Sequence, residues 1–462
     1  MNFDRFISRA PGPEGRYNVN LYLLPETERG NPALVTTPGL TQKVTPKPNV
    51  PVRAMAVCMD KLYAVCGDEL YAIDSNWNAT LIGQLSGASE PTHMVAGDKY
   101  VVVVSGGKLF AYDASSGGTT ISAPSTNVTP YALAYQDRYF IISKLASDYW
   151  YISTLEDPTS WDALDEGRAG AYPGAILAIV SESRQLWVFK ETSIEVYYNS
   201  GDLDFPFQRV QGASQDVGTS APRSVVSLDQ SIFWLDNNGR ILRSQGYGHI
   251  VISNPQIERA IAAYSRIDDA TAYSLYWLGH AWYVLSFPTG NATWVYDAST
   301  QSWFRWSSKQ GFSFGGRHRT MSYAYFNSEH VVGDYENGKI YVLDKDSFRE
   351  DGEEIRWERY APPLILEGRR IFVRDLYLDM SSGTTTQQSL NPQVVLRWSD
   401  DGGKTWSNEY WASVGKIGEY KARIAWRRLG SSRNRTFHVF GTDNYRAEIH
   451  GAFINVIASE DI

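Results

Sequence analysis

The octapeptide NGKIYVLD, residues 337–344, contains the pattern that decides the fold, because variants of it recur along the chain. Asn337 and Gly338 are typical of a tight hairpin turn, since both residue types tolerate the positive φ angles that such a turn needs. The residues that follow alternate like those of a short strand and end at Asp344. This stretch therefore predicts a turn followed by a β-strand.

Six further copies of this pattern precede it, and each follows an earlier apolar run. They read GDELYAID (67–74), GGKLFAYD (106–113), SDYWYIST (147–154), ETSIEVYY (191–198), NGRILRSQ (238–245) and GNATWVYD (290–297). Successive copies are 39 to 52 residues apart, and a third strand often follows, as in WVYDASTQSWFRW (294–306). A four-stranded unit of about 40 to 50 residues is typical of a propeller blade. The repeats predict an all-β protein with a β-propeller of six or seven blades; a stacked sandwich or β-solenoid of hairpins is the alternative.

The chain divides into three predicted parts. Residues 1–50 form an N-terminal arm with two strand candidates, which either close the propeller ring or join the C-terminal module. Residues 51–350 form the propeller, with one predicted helix, NPQIERAIAAY (254–264), of about three turns. Residues 351–462 contain five strands of period-2 alternation and predict an antiparallel β-sandwich.

Composition and charge limit the possible functions. Of 43 basic and 51 acidic residues, residues 351–462 hold 15 of each, so the first 350 residues carry the whole imbalance of −8. A tight nucleic-acid binder normally has a basic footprint, and the overall charge shows none. No apolar run reaches the roughly 18 residues of a membrane span, and the N-terminus does not resemble a secretion signal.

The two cysteines, Cys58 and Cys66, both lie in the first predicted hairpin. A turn at Asp60 and Lys61 would leave the two side chains not directly opposite each other. A disulfide needs closely facing Cβ atoms, so the sequence predicts buried thiols instead.

Short motifs give no catalytic, cofactor or metal site. SDDGGKTW (399–406) matches the Asp-box turn of sialidase-like propellers, but it occurs once and outside the blades. GGKT (402–405) lacks the first glycine and the strand-to-helix context of a phosphate loop. The seven histidines show no metal-binding spacing. A lectin-like carbohydrate-binding propeller remains an alternative function, and a sialidase-like glycosidase is a more remote one.

One basic cluster is a candidate subunit interface: Arg427, Arg428, Arg433 and Arg435. Guanidinium groups form directed hydrogen bonds to partners, so the cluster could contact another subunit or a nucleic acid. The alternative is a solvated loop between two strands.

Several stretches resemble the packaged-DNA stabilisation, or tail hub (nozzle), proteins of short-tailed bacteriophages. They are YNVNLY (17–22), PGL (38–40), the aromatic meanders and RRLGSSRNRTFHVFGTDNYRAEIHGAFINV (427–456). The resemblance implies a structural virion protein without enzymatic activity, a tail component assembled in the host cytoplasm. It implies a hexameric ring below the portal adaptor that retains packaged DNA, conducts it during ejection and docks tailspikes or fibres. The implied partners are further copies of the chain, the adaptor, the tailspikes or fibres and, transiently, double-stranded DNA.

Such a ring suggests a role for the negative charge. Six copies at −8 each sum to −48 per ring. An acidic wall would keep passing DNA from adhering to the channel, because like charges repel.

Overall fold

The computed structural model describes residues 17–27, 30–87, 92–119, 121–126, 128–202, 204–366, 368–385 and 390–458. The regular secondary structure of these residues is almost entirely β-strand. They form two compact units, each discontinuous in sequence. Of the described residues, the first unit comprises those within 17–41, 292–318 and 344–458, and the second comprises those within 42–291 and 319–343.

Three strands begin the chain: β1 (Leu21–Leu24), β2 (Ala33–Thr36) and β3 (Gly39–Val44). The strands of the second unit then follow in successive groups. They are β4 (Val52–Cys58), β5 (Lys61–Cys66), β6 (Glu69–Ile73) and β7 (Ala79–Gln84); β8 (Thr92–Ala96), β9 (Tyr100–Ser105) and β10 (Lys108–Asp113); β11 (Pro130–Gln136), β12 (Tyr139–Lys144), β13 (Tyr149–Ile152) and β14 (Glu166–Arg168); β15 (Ile176–Glu182), β16 (Gln185–Lys190), β17 (Ile194–Asn199) and β18 (Phe207–Arg209); β19 (Val226–Leu228), β20 (Ser231–Leu235), β21 (Ile241–Gln245) and β22 (Gly248–Val251); and β23 (Thr271–Trp277) and β24 (His280–Phe287).

The remaining strands complete both units. They are β25 (Ala292–Asp297) and β26 (Ser302–Arg305); β27 (Thr320–Phe326), β28 (Glu329–Asp334) and β29 (Ile340–Asp344); β30 (Arg349–Glu350), β31 (Glu353–Glu354), β32 (Trp357–Tyr360), β33 (Leu364–Ile365) and β34 (Ile371–Met380); β35 (Gln393–Ser399), β36 (Tyr410–Ser413), β37 (Ile424–Arg427), β38 (Ser431–Ser432), β39 (Asn434–Gly441) and β40 (Glu448–Ala458).

The second unit is a ring of seven antiparallel sheets. The first strand of each sheet packs against the first strand of the next, in the order β4, β8, β11, β15, β19, β23 and β27, and β27 packs against β4. An apolar cluster that includes Val52 and Leu62 of the first sheet and Val331 and Ile340 of the last sheet fills the closing junction. The chain therefore contains a closed β-propeller with seven sheets, and all seven sequence repeats coincide with strands.

Two-residue turns connect the first two strands of most sheets. Both turn residues have positive φ angles, for example 45° and 57° at Met59 and Asp60. Such turns match the right-handed twist of the flanking strands. The first turn therefore lies one residue earlier than the predicted Asp60 and Lys61. The observed register pairs Cys58 with Lys61 and Val52 with Cys66, so the two thiols are not opposite each other, and both are buried and free.

The predicted helix is present but shorter than expected. Helix α1 spans Pro255–Ala262, two turns rather than three. The Asn254 side chain accepts hydrogen bonds from the backbone N–H groups of Gln256 and Ile257, as an N-cap does. Ile257 and Ile261 form its buried face.

The first unit contains a β-sandwich. One sheet has the order β1-β2-β40-β34-β37, with β38 beside β34, and the other has the order β32-β39-β35-β36, with β33 beside β39. Leu376, Leu396, Phe437, Val439 and Ile454 are among the residues of the shared core. All five strands predicted after residue 350 are present.

The N-terminal arm is divided between the two units. Strand β2 pairs with β1 and with β40, so these two N-terminal strands extend one sheet of the sandwich. Residues 42–50 belong to the propeller unit, where Lys43 forms an ion pair with Glu329 at 2.9 Å and lies over the Trp77 ring. These contacts join the last sheet to the first.

A buried asparagine connects the N-terminal arm to the rest of the sandwich unit. Asn20 is 1% exposed, and its amide donates hydrogen bonds to the carbonyl oxygens of Ser307 and Arg356 at 2.9 Å each. Its Oδ1 accepts from the Ser307 N–H at 2.8 Å. These hydrogen bonds hold the segments that contain Ser307 and Arg356 against the N-terminal arm, within the same compact unit.

Candidate interaction surfaces

The structure separates the four predicted interface arginines. Arg427 ends β37 and is exposed, opposite Asp375 of β34. Arg428 is exposed with a positive φ of 59°, and Arg433 is exposed at the turn between β38 and β39. These three side chains are accessible for contact with a partner.

Arg435 lies inside the sandwich unit instead. Its side chain is 2% exposed, and two of its nitrogens each lie 2.7 Å from a carboxylate oxygen of Asp400. It also donates a hydrogen bond to the Leu429 carbonyl oxygen and lies over the Trp398 ring. Bidentate pairing of this kind fixes local geometry. Arg435 is therefore a structural residue here, and the predicted contact set reduces to the three exposed arginines.

The sheet that carries Arg427 has an apolar outer surface that sequence reasoning missed. Phe372 pairs with Ile457, and Tyr377 pairs with Phe453, so all four side chains point away from the core. Phe372, Phe453 and Ile457 are 47%, 47% and 61% exposed. These four residues, with Arg423 and Arg427, are called the sandwich outer face below.

The guanidinium groups of the sandwich outer face lie beside its aromatic rings. The Arg423 guanidinium is 4.3 Å from the centre of the Tyr377 ring. A groove of about 560 Å³, lined by Tyr377, Phe453, Tyr420 and Arg423 among others, runs along the face. Aromatic residues and arginine are the types that contribute most to protein–protein binding energy.

One sequence signal could have revealed this surface. Strands β34 and β40 carry apolar residues at both parities, whereas a strand with one solvated face alternates apolar with polar. Ile454 and Ala452 point inward, yet Phe453 and Ile457 are apolar as well. Apolar residues on both faces of a sheet indicate that its second face also packs against another surface.

Hydrogen bonds to Asp401 stabilise the Asp-box turn at residues 399–406. The Asp401 carboxylate accepts hydrogen bonds from the Thr405 hydroxyl at 2.6 Å and from the backbone N–H groups of Lys404 and Thr405 at 2.9 Å. The Thr405 bonds hold the pKa of the Asp401 carboxyl below its usual range. The Trp406 indole N–H donates a hydrogen bond to the Gly403 carbonyl oxygen across the turn. The turn joins β35 to β36 and orders a hairpin.

The propeller unit contains a cavity of about 240 Å³ on its axis. The first strands of most sheets contribute to its wall, with Arg53, His93, Arg223, Thr271 and Tyr323 among the lining residues. Within the described ranges, no group of three or more His, Cys, Asp or Glu residues has the geometry to hold a metal ion. Nor does any described helix have the length and apolar character to cross a membrane.

Comparison with protein families gives two matches that together cover most of the chain. The model described as "Bacteriophage P22 Gp10, beta-propeller" matches residues 15–348. The model described as "Bacteriophage P22 Gp10, beta-sandwich" matches residues 356–457. The two matches have the same order as the predicted propeller and sandwich. Among curated proteins, none matches the chain.

Solved structures with similar folds are propellers or propeller-like proteins of low sequence identity. Virginiamycin B lyase from Staphylococcus aureus is 12% identical over 66% of this chain and 98% of its own, with a TM-score of 0.46. BamB from Moraxella catarrhalis is 10% identical over 70% and 94%, with a TM-score of 0.40. The Neurospora crassa Pan2 WD40 domain is 7% identical over 67% and 95%, with a TM-score of 0.43. At these scores the likenesses carry no functional information.

Proposed function

The chain belongs to the bacteriophage P22 Gp10 family, and from that membership we propose that six copies form the hub ring of a phage tail. The observation that carries the proposal is the match of both family models, which together span residues 15–348 and 356–457. The protein is a structural component of the virion tail. In the proposed role it acts by shape and assembly and catalyses no reaction.

The proposed ring lies below the portal adaptor, to which it binds. It retains the packaged DNA, conducts it during ejection and carries tailspikes or fibres on its outer side. The ring is assembled in the host cytoplasm from folded subunits. A closed propeller is a suitable building block, because it has few unpaired strand edges and therefore offers a rigid surface for assembly.

The sandwich outer face is the surface that we assign to contact with a second copy. Phe372, Phe453 and Ile457 are apolar and exposed together, whereas apolar surface on a free monomer is usually scattered. Arg423 and Arg427 lie within the same face. Because all of the acidic imbalance lies in the first 350 residues, another copy of the chain offers the complementary charge.

Ring formation can be tested directly with purified protein. Native mass spectrometry and electron microscopy, with and without the adaptor, should show hexamers. The double substitution Arg427→Ala with Arg428→Ala should raise the concentration needed for assembly about 10-fold or more, which corresponds to a loss of roughly 1.4 kcal/mol per contact. Phe453→Ala should have an effect in the same direction, because it removes apolar area from the same face.

A matched control is Arg184→Ala, which removes a side chain that is 86% exposed at a propeller hairpin. This variant should assemble like the wild type. A wild-type protein that stays monomeric even with its adaptor would contradict the ring. Undiminished hexamers in both outer-face variants would instead contradict only the assignment of the surface.

A further inference from the structure

The axial cavity of the propeller is lined by residues from six of its seven sheets. Strands β4, β8, β15, β23 and β27 contribute, as does the segment 222–225 before β19. The cavity volume of about 240 Å³ corresponds to roughly eight water molecules at about 30 Å³ each. Its wall therefore leaves space for a small solute together with a few waters.

The charges on the wall are all of one sign. Arg53 and Arg223 line the cavity, and no Asp or Glu of the described residues does. The remaining polar lining residues are neutral hydroxyl groups, among them Thr92, Thr271 and Tyr273, together with His93. Burial lowers the pKa of His93 to about 4, so its imidazole is neutral at pH 7.

The two arginines differ in their partners. Arg53 is 6% exposed and donates hydrogen bonds to the Gly67 carbonyl oxygen at 2.7 Å and to Ser105 Oγ at 3.2 Å, both neutral acceptors. Arg223, by contrast, makes no hydrogen bond or ion pair within the part of the chain that the structure describes. Burial lowers its pKa, and attraction to Tyr131 and Asp269 only partly opposes that effect.

Arg223 is half-buried, so part of its hydration shell is lost without a protein partner to replace it. Removing a charge from water without a compensating partner is energetically unfavourable. Folded proteins rarely leave such a group unsatisfied, and a bound counter-ion relieves the cost. Guanidinium groups match the geometry of oxyanions, to which they donate paired hydrogen bonds.

We propose that the axial cavity binds one small oxyanion, with phosphate as the fitting chemical class, held by Arg223 and Arg53. Arg223 supplies unused donors, Arg53 adds a second positive charge, and the hydroxyls of Thr92 and Thr271 complete the polar wall. This site lies on the axis of a single propeller, so the proposal does not depend on ring assembly.

Thermal unfolding and isothermal titration calorimetry with inorganic phosphate test the proposal. Titrations are made at constant ionic strength, with chloride replacing phosphate in the reference. Wild-type protein should show a saturable rise in Tm and a stoichiometry of one phosphate per chain. Arg223→Gln should abolish the saturable part, because it removes the charge and keeps most of the side-chain volume.

Two further observations make the result decisive. Without phosphate, Arg223→Gln should have a higher Tm than wild type, since the substitution removes a half-buried charge that no protein group compensates. The control Arg184→Gln removes an exposed guanidinium on a hairpin of the same propeller and should bind phosphate like wild type. Equal responses to phosphate in wild type and Arg223→Gln would overturn the proposal, as would a lower Tm of Arg223→Gln in its absence.

Discussion

At the residue scale, the glycine of the repeat at residues 337–344 shows why its turn requires a particular residue type. Gly338 has a φ of +74°, and a Cβ at this position would overlap the Lys47 carbonyl oxygen. Asn49 also donates its N–H to the Asn337 carbonyl oxygen. The turn at Asn337 and Gly338 therefore contacts residues 42–50, the segment that joins the last sheet of the propeller to the first. Only glycine satisfies both the backbone conformation and the close approach.

Gly338→Ala should consequently destabilise the protein by about 3 kcal/mol or more, because strain at positive φ adds to a backbone clash. Urea unfolding of the variant measures the effect. The matched control is Gly246→Ala, since Gly246 has a φ of +57° and a Cβ there would have no atom within 4 Å. That control should lose only about 1 kcal/mol. Equal losses in the two variants would show that the Lys47 approach is unimportant.

Residue-level predictions from sequence succeeded where the chemistry is local. The helix that begins after Asn254 and the Asp-box turn at residues 399–406 were recognisable in the sequence, because hydrogen bonds between residues a few positions apart stabilise both. Arg435 could not be predicted in the same way. Its partner, Asp400, is 35 residues away in sequence, and only the pairing of β35 with β39 brings the two side chains together.

At the element scale, the three strands β32, β35 and β39 place a buried polar group in the sandwich. His438 Nδ1 accepts a hydrogen bond from Arg397 Nε at 2.8 Å, so the ring proton must lie on Nε2, 2.9 Å from Glu358 Oε2. The Tyr360 ring stacks on the imidazole at 3.9 Å between ring centres. Burial lowers the pKa of His438 to about 4, against the opposing influence of Glu358. The sheet therefore folds around a neutral histidine.

This arrangement predicts a pH-dependent stability. In the unfolded chain the histidine binds a proton below about pH 6.5, whereas in the folded chain it does so only below about pH 4. Between these values the unfolded state holds more protons, so the free energy of unfolding falls as the pH falls. The loss from this residue should approach about 3 kcal/mol at pH 4.

Urea unfolding between pH 4 and 7 measures this dependence. His438→Gln removes the titrating group and should reduce the slope of stability against pH, whatever its effect on stability at pH 7. His93 also has a pKa lowered to about 4, so some slope remains in the variant. Identical slopes in wild type and His438→Gln would contradict the assignment.

Element predictions also show which turns a sequence can reveal. The turn before β29, the third strand of the last propeller sheet, contains Asn-Gly and is recognisable in the sequence. The turns between the first two strands use ordinary residues at positive φ, such as Met59 with Asp60 and Ser183 with Arg184. Their conformation follows from the twist and register of the flanking strands rather than from residue type, so residue types alone place the first turn one residue too late.

At the scale of the whole molecule, counting repeats limited the number of sheets to six or seven, but it did not predict how the termini pair. Leu34 pairs with Ile449, which joins strands more than 400 residues apart in sequence. No local sequence pattern predicts this pairing. Strand propensity predicts that residues 33–36 form a strand, but it does not predict which strand they pair with. The division of the arm between sandwich and propeller is therefore information that only the tertiary structure supplies.

The charge of the whole molecule gives a last prediction, which rests on the proposed ring. The chain carries −8, and its acidic excess lies entirely in the first 350 residues. DNA that passes such a ring is repelled by it, so retention must come from obstruction of the channel rather than from adhesion. The purified ring should therefore form no saturable complex with a duplex of about 30 base pairs at about 50 mM salt, as measured by fluorescence anisotropy.

A protein that neutralises several phosphates would behave differently, losing roughly 10³- to 10⁵-fold in affinity between about 50 and 200 mM salt. A steep salt dependence of that kind would therefore refute retention without adhesion. If weak binding appears, the variant with Arg427→Ala and Arg428→Ala tests these exposed side chains, provided that the variant is measured as intact hexamers, above its raised assembly concentration. Binding lost in that variant would assign a nucleic-acid contact to the arginines, whereas binding retained would place the contact elsewhere on the ring.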